Sequence, residues 1–310
     1  MDKQMMKGVG FAFLGFAVFS GHDALIKSLR DYSVFQILFF ATLFSYVPFS
    51  IALSLGADAV HLRPKQPKMV LLRSCFMAAT GILAFTAFGQ LPMTEVYAIL
   101  FTSPMMISVL AIMFLNEKIH AFRWFAIVLG LVGVLVVLRP GVSGLNGGHL
   151  AALGAAFCSS FASILARKMG GDEHVAAATL WPMVLGLAVN GGLMIGAYQP
   201  MLMEVMFKMF AIGVLGLIGT TLVLQGYRNA PAQFVAPIQY SQMLWAIMYG
   251  TLFFYEKPDR YVLLGCSLIV LSGLLIVWRE TRISKQKPAL STRNFRAVAG
   301  PPMRSSELDK

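Results

Sequence analysis

The sequence predicts an all-α polytopic membrane protein with ten transmembrane helices, arranged as two inverted repeats of five helices. Composition is the first basis, because 57% of the residues are hydrophobic and only 13% are charged, about half the charged fraction of a soluble domain. The second basis is a set of uncharged runs that each reach the roughly 18 residues a helix needs to cross hydrocarbon. These runs cover residues 32–57, 74–94, 96–116, 174–203, 209–227 and 229–255.

The third basis is an internal duplication, which relates residues 91–140 to residues 230–279 at a fixed offset of 139 positions. In each copy an apolar span leads to a polar Glu-Lys corner, and a second apolar span follows. A fixed-period echo of this length indicates that the chain consists of two related halves. The matched pairs include Pro92 and Pro231, Glu117 and Glu256, and Lys118 and Lys257.

Turn residues and charges between the apolar stretches divide the chain into spans. We expect residues 8–140 to form the first five-span repeat and residues 147–279 the second. Residues 280–310 are polar and rich in basic residues, which predicts a disordered cytoplasmic tail. The ten predicted spans are 8–29, 34–55, 70–90, 94–115, 121–138, 149–168, 175–197, 206–227, 232–254 and 261–279.

The distribution of Lys and Arg predicts the topology. With a cytoplasmic N-terminus, the inner loops and termini hold 19 of these residues and the outer loops hold six, as the positive-inside rule requires. Both termini are therefore expected in the cytoplasm. Because five spans per half is an odd number, the second half must be inverted relative to the first.

An inverted duplication predicts a carrier, because two equivalent halves can exchange conformations around one site at their interface. The net charge of +11 lies mainly in inter-span seams and the tail, which favours the lipid bilayer as partner over nucleic acid. The sequence contains no ATP-binding P-loop and no recognisable catalytic motif, so we expect neither an enzyme nor a bound cofactor or metal. An intramembrane enzyme is the disfavoured alternative.

The chain resembles the drug/metabolite transporter superfamily in its EamA-type, ten-span branch. The likeness covers residues 8–279 and rests on the two five-span halves, the corner prolines Pro92 and Pro231, and the Leu-Arg-Pro-Gly that closes the first half at 138–141. Within the superfamily it is similar to alphaproteobacterial-type metabolite carriers, including those assigned to riboflavin and to S-adenosylmethionine. The resemblance implies transport across the cell inner membrane by alternating access.

The resemblance also implies a central cavity lined by the first, third and fourth spans of each half. The last span of each half would then serve as a scaffold or as the contact of a homodimer. Small residues allow close helix approach and suit either role. In the two last spans these are Gly130, Gly133, Gly265, Ser272 and Gly273.

Ionisable side chains inside a span are costly and therefore are candidates for function. In the first span these are His22, Asp23 and Lys27. His22 and Asp23 could bind substrate or a proton, whereas an Asp23–Lys27 pair at i and i+4 would be a local ion pair. In the fourth span Glu95, near Tyr97, could bind a cationic group, or could serve only as a carboxylate at a helix N-terminus.

The second half offers polar and aromatic residues at the eighth and ninth spans. Gln239, Gln242 and Trp245 form a stripe of hydrogen-bonding and stacking groups, which suits a flat polar heterocycle or an amino acid. Interhelical hydrogen bonding is the alternative role for the glutamines, and Arg228 could be a topology charge. The second-half candidates are Gln225, Arg228, Gln239, Tyr240, Gln242 and Trp245.

Glu117 and Glu256 stand at span ends, so we expect them to cap helices or fix loops and not to contact substrate. The function predicted from these features is uptake of a small vitamin-like aromatic metabolite such as riboflavin. Export of amino acids or drugs is the alternative within transport.

Overall fold

A computed structural model of the chain describes residues 3–54, 62–115, 121–139, 144, 146–169, 173, 175–230 and 232–283. Over this part of the chain the secondary structure is helical and contains no strand, which confirms the predicted all-α class. The predicted tail beyond residue 283 and the Glu117-Lys118 corner lie outside the described residues. The helices are α1 Lys3–Ser28, α2 Val34–Ser54, α3 Pro67–Gln90, α4 Met93–Leu100, α5 Ser103–Leu115, α6 Ala121–Leu138, α7 Gly147–Met169, α8 Val175–Met194, α9 Met203–Asn229, α10 Ala232–Val235, α11 Ser241–Phe254 and α12 Arg260–Ile283.

Seven helical segments in the described residues are long and apolar enough to cross a membrane, with α4 and α5 together forming one of them. The remaining predicted spans correspond to α6, to α10 with α11, and to α12. The apolar stretches of α6 and α12 are shorter, at Trp124–Leu138 and Arg260–Leu275.

The fourth and ninth spans are broken, whereas the sequence predicted each as one continuous helix. In the fourth span the helix stops at Leu100 and restarts at Ser103, because Pro104 has no N–H to donate to the carbonyl group of Leu100. In the ninth span a 3₁₀ segment, Ala236–Tyr240, separates α10 from α11 and contains Pro237. The hydrophobicity of these runs predicted the spans but gave no weight to prolines inside them.

The equivalent last spans of the two halves run antiparallel against each other. A Cβ built on Gly133 of α6 would lie 2.8 Å from the carbonyl oxygen of Gly265 in α12, and the Ser272 hydroxyl of α12 donates to the Ala126 carbonyl of α6 at 2.6 Å. The 139-residue offset places Gly133 on Ser272 and Ala126 on Gly265. The two contacts therefore exchange when the halves are exchanged, as an inverted pair of repeats requires.

Small residues also allow α1 and α9 to pack closely and antiparallel. A Cβ on Gly8 would lie 2.6 Å from the Ala230 side chain, and a Cβ on Gly15 would lie 2.7 Å from Val223. Helix α4 lies at the centre of the bundle, and its largest fully buried side chains include Met93, Tyr97 and Ile99. Helix α11, in the ninth span, packs against both α1 and α4, and the candidate site lies between these three helices.

Candidate functional site

Asp23 is the centre of a buried polar cluster formed by α1 and α4. Its carboxylate is within 2.9 Å of His22 Nδ1 and accepts a hydrogen bond from the Tyr97 hydroxyl. The Ser20 hydroxyl lies 3.3 Å from the Tyr97 hydroxyl. Asp23 is only 2% exposed, so these partners replace the water that the carboxylate loses on burial.

The imidazole of His22 faces the interior between α3 and α9. The rings of Phe19 and Phe85 approach it edge-on, with centroids 6.4 and 6.1 Å away. Gly216 of α9 leaves space beside it, because a Cβ built there would still be 3.7 Å from His22 Nε2. The His22 side chain is therefore a polar group between two aromatic rings, and its Nδ1 contacts the Asp23 carboxylate.

Lys27 makes its ion pair with Glu256, two residues past the end of α11, and not with Asp23, which corrects the i, i+4 pair considered from the sequence. The Nζ–Oε1 distance is 2.8 Å, and Nζ also donates to the Leu91 carbonyl oxygen. The other oxygen of Glu256 accepts from the backbone N–H of Met93 at 2.9 Å. The expectation that Glu256 caps a helix agrees with this last contact, although the helix it caps is α4 of the other repeat.

Glu95 lies in the first turn of α4, and its carboxylate is 3.5 Å from Nε2 of His149 in α7. Like Lys27–Glu256, this pair joins one repeat to the other. Both pairs lie at the end of the bundle where α1 ends and α4 begins.

Gln242 and Trp245 project from successive turns of α11 and carry hydrogen-bond donors without a protein acceptor. Gln242 is 1% exposed, and its Nε2 has no partner among the described residues, nor does Trp245 Nε1. The Trp245 indole stacks on Tyr249, with centroids 6.4 Å apart and planes 29° apart, and Phe13 of α1 packs against it. Buried donors beside a stacked aromatic pair form a site that can bind a planar acceptor.

The remaining candidates from the sequence lie neither in the Asp23 cluster nor beside Gln242 and Trp245. Gln225 and Arg228 lie near the C-terminal end of α9, which packs against the start of α1, and Arg228 is exposed. Gln239 is half-buried in the 3₁₀ segment. Tyr240 packs against Phe101 of the fourth span.

The sequence analysis did not identify Ser20, Phe85, His149 and Tyr249 as parts of this region, and it assigned Glu256 only a role in capping a helix or fixing a loop. Tyr249 could have been found, because it extends the Gln242–Trp245 stripe by one further turn. The others depend on tertiary contacts between distant spans. No group of three or more metal-ligating side chains occurs in the described residues.

Comparison with known proteins gives one family and several transport relatives. The EamA-like transporter family matches residues 6–139 and 146–278. The chain is 30% identical over 252 residues to a riboflavin transporter of Rhizobium johnstonii, which covers 81% of each chain. It is 25% identical over 289 residues to an S-adenosylmethionine uptake transporter of Rickettsia bellii, covering 90% of this chain and 96% of the relative.

A solved crystal structure has the same fold. It superposes with a TM-score of 0.60 at 17% sequence identity and covers 90% of this chain and 98% of its own.

Proposed function

Because the chain belongs to the EamA-like transporter family, we propose that it is a secondary carrier that takes up a flat, nitrogen-rich heteroaromatic metabolite, with riboflavin the first candidate. Membership of this family confirms the resemblance found in the sequence and makes the chain a multi-pass membrane transporter, not an enzyme. The substrate, the direction of transport and the residues that bind the substrate are the proposal.

The proposed class of substrate rests on the two unpartnered hydrogen-bond donors of α11. A buried N–H without an acceptor costs roughly 1–3 kcal/mol, and Gln242 and Trp245 each hold one within a turn of the other. A planar ring with carbonyl or ring-nitrogen acceptors would satisfy both donors and stack on the Trp245–Tyr249 pair. The isoalloxazine ring of riboflavin has such acceptors along one edge.

The relatives support the same class of compound. One is named for riboflavin and the other for S-adenosylmethionine, and both compounds contain a fused, nitrogen-rich aromatic ring. We assign ring recognition to α11, and recognition of the polar substituent or of a proton to His22 and Asp23 of α1. His22 suits this role because an imidazole can donate or accept a hydrogen bond and can carry a proton.

Counterflow into proteoliposomes tests the proposal. Vesicles containing the purified protein and loaded with unlabelled riboflavin should accumulate labelled riboflavin, with saturation. Gln242→Leu and Trp245→Phe should each raise the half-saturation concentration about tenfold, which corresponds to the loss of one hydrogen bond at about 1.4 kcal/mol. Leu244→Ala is the matched control, because Leu244 lies between these two residues but is 66% exposed.

Competing substrates separate the alternatives. If S-adenosylmethionine, an amino acid or a drug drives counterflow and riboflavin does not, the assignment of riboflavin as substrate is wrong, whereas the assignment of the protein as a carrier still holds. Net flux in cells loaded with substrate, compared with net uptake from the medium, distinguishes an exporter from an importer.

The proposal also includes cytoplasmic termini and, if the protein dimerises, contacts through the last spans. The orientation rests on the 19-to-six distribution of basic residues and is tested by reporter fusions at each terminus. The glycines of α6 and α12 already pack against each other within one chain, so a homodimer would use the outer faces of these helices. Those faces expose Trp124, Phe125, Val128, Leu131, Leu263 and Leu264.

A further inference from the structure

Glu256 is folded back over the end of α11 by an unusual piece of backbone. Tyr255 adopts a left-handed conformation with φ 55°, and the Glu256 N–H then donates to the Gly250 carbonyl at 3.0 Å. A Cβ on Gly250 would lie only 2.6 Å from Glu256 Oε2. The absence of a side chain at residue 250 therefore makes room for the carboxylate.

In this position the Glu256 carboxylate joins the two repeats at a point where the fourth span begins. It pairs with Lys27 at the end of α1 and accepts from the first N–H of α4, where the helix dipole favours a negative charge. The side chains of Lys27 and Glu256 are 9% and 13% exposed. Partial burial strengthens this attraction relative to an ion pair in water.

Further contacts between the repeats surround this pair at the same end of the bundle. Arg139, at the end of α6, pairs with Asp259, at the start of α12. The Gln36 side chain exchanges two hydrogen bonds with the backbone of Gln199, at 2.8 and 2.9 Å. These contacts tie the two repeats together at this end of the bundle.

The sequence does not repeat the residues of this contact at the equivalent positions of the other repeat, which lie at the opposite end of the bundle. The 139-residue offset places Ala166 where Lys27 stands and Ala111 where Gly250 stands. The repeat partner of Glu256 is Glu117, which lies outside the described residues; by sequence it has no lysine at the position equivalent to Lys27 and no glycine at the position equivalent to Gly250. At that end Glu173 accepts from the backbone N–H groups of Lys65 and Gln66 at 3.0 and 2.9 Å, a contact between loops that does not join α1 to α11.

We propose that Lys27, Gly250, Glu256 and the N-terminus of α4 form a one-sided latch, which holds the carrier closed at this end and open toward the other at rest. The proposal rests on the transport function above but not on the identity of the substrate. Opening the latched end would require the Glu256 carboxylate to leave both Lys27 and the α4 terminus. Glu256 is thus a positioning residue for the transport cycle and not a substrate ligand.

Accessibility of a reporter cysteine tests the latch without any substrate. The reporter is Gly21→Cys in a variant whose three native cysteines are replaced by alanine; a Cβ at residue 21 meets only Tyr249, at 3.6 Å or more. A membrane-impermeant maleimide is added to right-side-out and to inverted vesicles. The latched protein should be labelled from one side only.

Glu256→Gln and Gly250→Ala should each raise labelling from the other side. The increase should be about tenfold for each 1.4 kcal/mol by which the substitution destabilises the closed state relative to the open one. Gly250→Ala serves as a second variant if Glu256→Gln does not fold, because alanine already occupies the equivalent position in the first repeat. Gly186→Ala is the matched control, since a Cβ there meets nothing within 4 Å.

Equal labelling of the latched protein from both sides, or labelling that neither substitution changes relative to Gly186→Ala, would overturn the proposal. Failure of riboflavin counterflow would leave the labelling result unaffected, so the two proposals can fail separately.

Discussion

Phe101 and Tyr240 occupy equivalent positions in the two repeats, and their side chains contact each other. The 139-residue offset places one on the other, and their ring centroids are 5.2 Å apart with planes at 66°. Two equivalent residues can touch only near the axis that relates the repeats. This aromatic pair therefore marks the pseudo-two-fold axis of the protein.

Both broken spans are interrupted at this pair. Phe101 lies in the gap between α4 and α5, and Tyr240 is the last residue of the 3₁₀ segment before α11. Interrupted helices at the interface of inverted repeats are where many secondary carriers bind their substrates. The Asp23 cluster lies on α1 and α4, and the unpartnered donors lie on α11, so the two parts of the candidate site flank the axis.

Gly273→Ala should disturb this junction. A Cβ at residue 273 would overlap the hydroxyl oxygen and Cζ of Tyr240, so the ring must move. We expect a loss of about 1–3 kcal/mol in the free energy of unfolding, seen as a lower melting temperature in detergent.

In the Tyr240→Ala background, Gly273→Ala should cost less stability than it does in the native protein, because the obstructing ring is gone. Gly186→Ala should leave the melting temperature unchanged or slightly raised. An unaltered melting temperature for Gly273→Ala itself would show that Tyr240 does not occupy this place.

Gln242→Leu should separate stability from transport. Leucine removes a buried donor that has no partner, and such a replacement is neutral or stabilising. We expect an unchanged or higher melting temperature together with a substrate affinity lower by about tenfold. A lower melting temperature with unaltered affinity would instead assign Gln242 to interhelical hydrogen bonding.

Asp23→Asn should impair transport without unfolding the protein. Asparagine keeps the size of the side chain but loses the charge that strengthens its bonds to His22 and Tyr97, worth about 1.5–3 kcal/mol for a charged acceptor. We expect the transport rate to fall by tenfold or more, with the elution profile on size exclusion retained. The control is Ser28→Ala, near the exposed end of the same helix. A transport rate equal to that of Ser28→Ala would make Asp23 structural.

Much of the architecture followed from the sequence because membrane spans depend on local composition. The bounds of α6 were predicted as residues 121–138 and are Ala121–Leu138 in the structure. The duplication predicted that the repeats are inverted, because the number of spans in each half is odd. The interruptions at Phe101 and Tyr240 were not predicted, since hydropathy does not register a missing backbone hydrogen bond.

The candidate site was less accessible to sequence reasoning because its residues meet across distant spans. His22, Asp23 and Tyr97 were singled out as polar groups in apolar surroundings, and they do meet. Their counterparts in the second repeat are Phe161, Ala162 and Ala236, so the sequence itself shows that the second repeat lacks these polar groups. The pairing of Lys27 with Glu256 was not visible, because the two residues lie in different repeats and the local partner at i, i+4 was the simpler assignment.

Asp259, outside the membrane-spanning segments, should make a small pH-dependent contribution to stability. Hydrogen bonding from the Arg139 side chain, and then from the Val262 N–H, lowers the pKa of this carboxyl below its usual 3.8. A group whose pKa is lower in the folded state stabilises the protein above the unfolded pKa, and that contribution is lost as the pH falls through the folded value. Asp259→Asn keeps an oxygen that can accept from the N–H groups of Tyr261 and Val262 but removes the charge.

The melting temperature of Asp259→Asn should therefore lie slightly below that of the native protein at pH 6–7. The corresponding loss in the free energy of unfolding should be no more than about 1 kcal/mol, because Asp259 is half exposed. The difference should shrink as the pH is lowered below 4, where the native carboxylate becomes protonated. Added salt should reduce it in the same way, since the ion pair with Arg139 is screened. A difference that persists unchanged at low pH would mean that the cap geometry, and not the charge, is what Asp259 contributes at the start of α12.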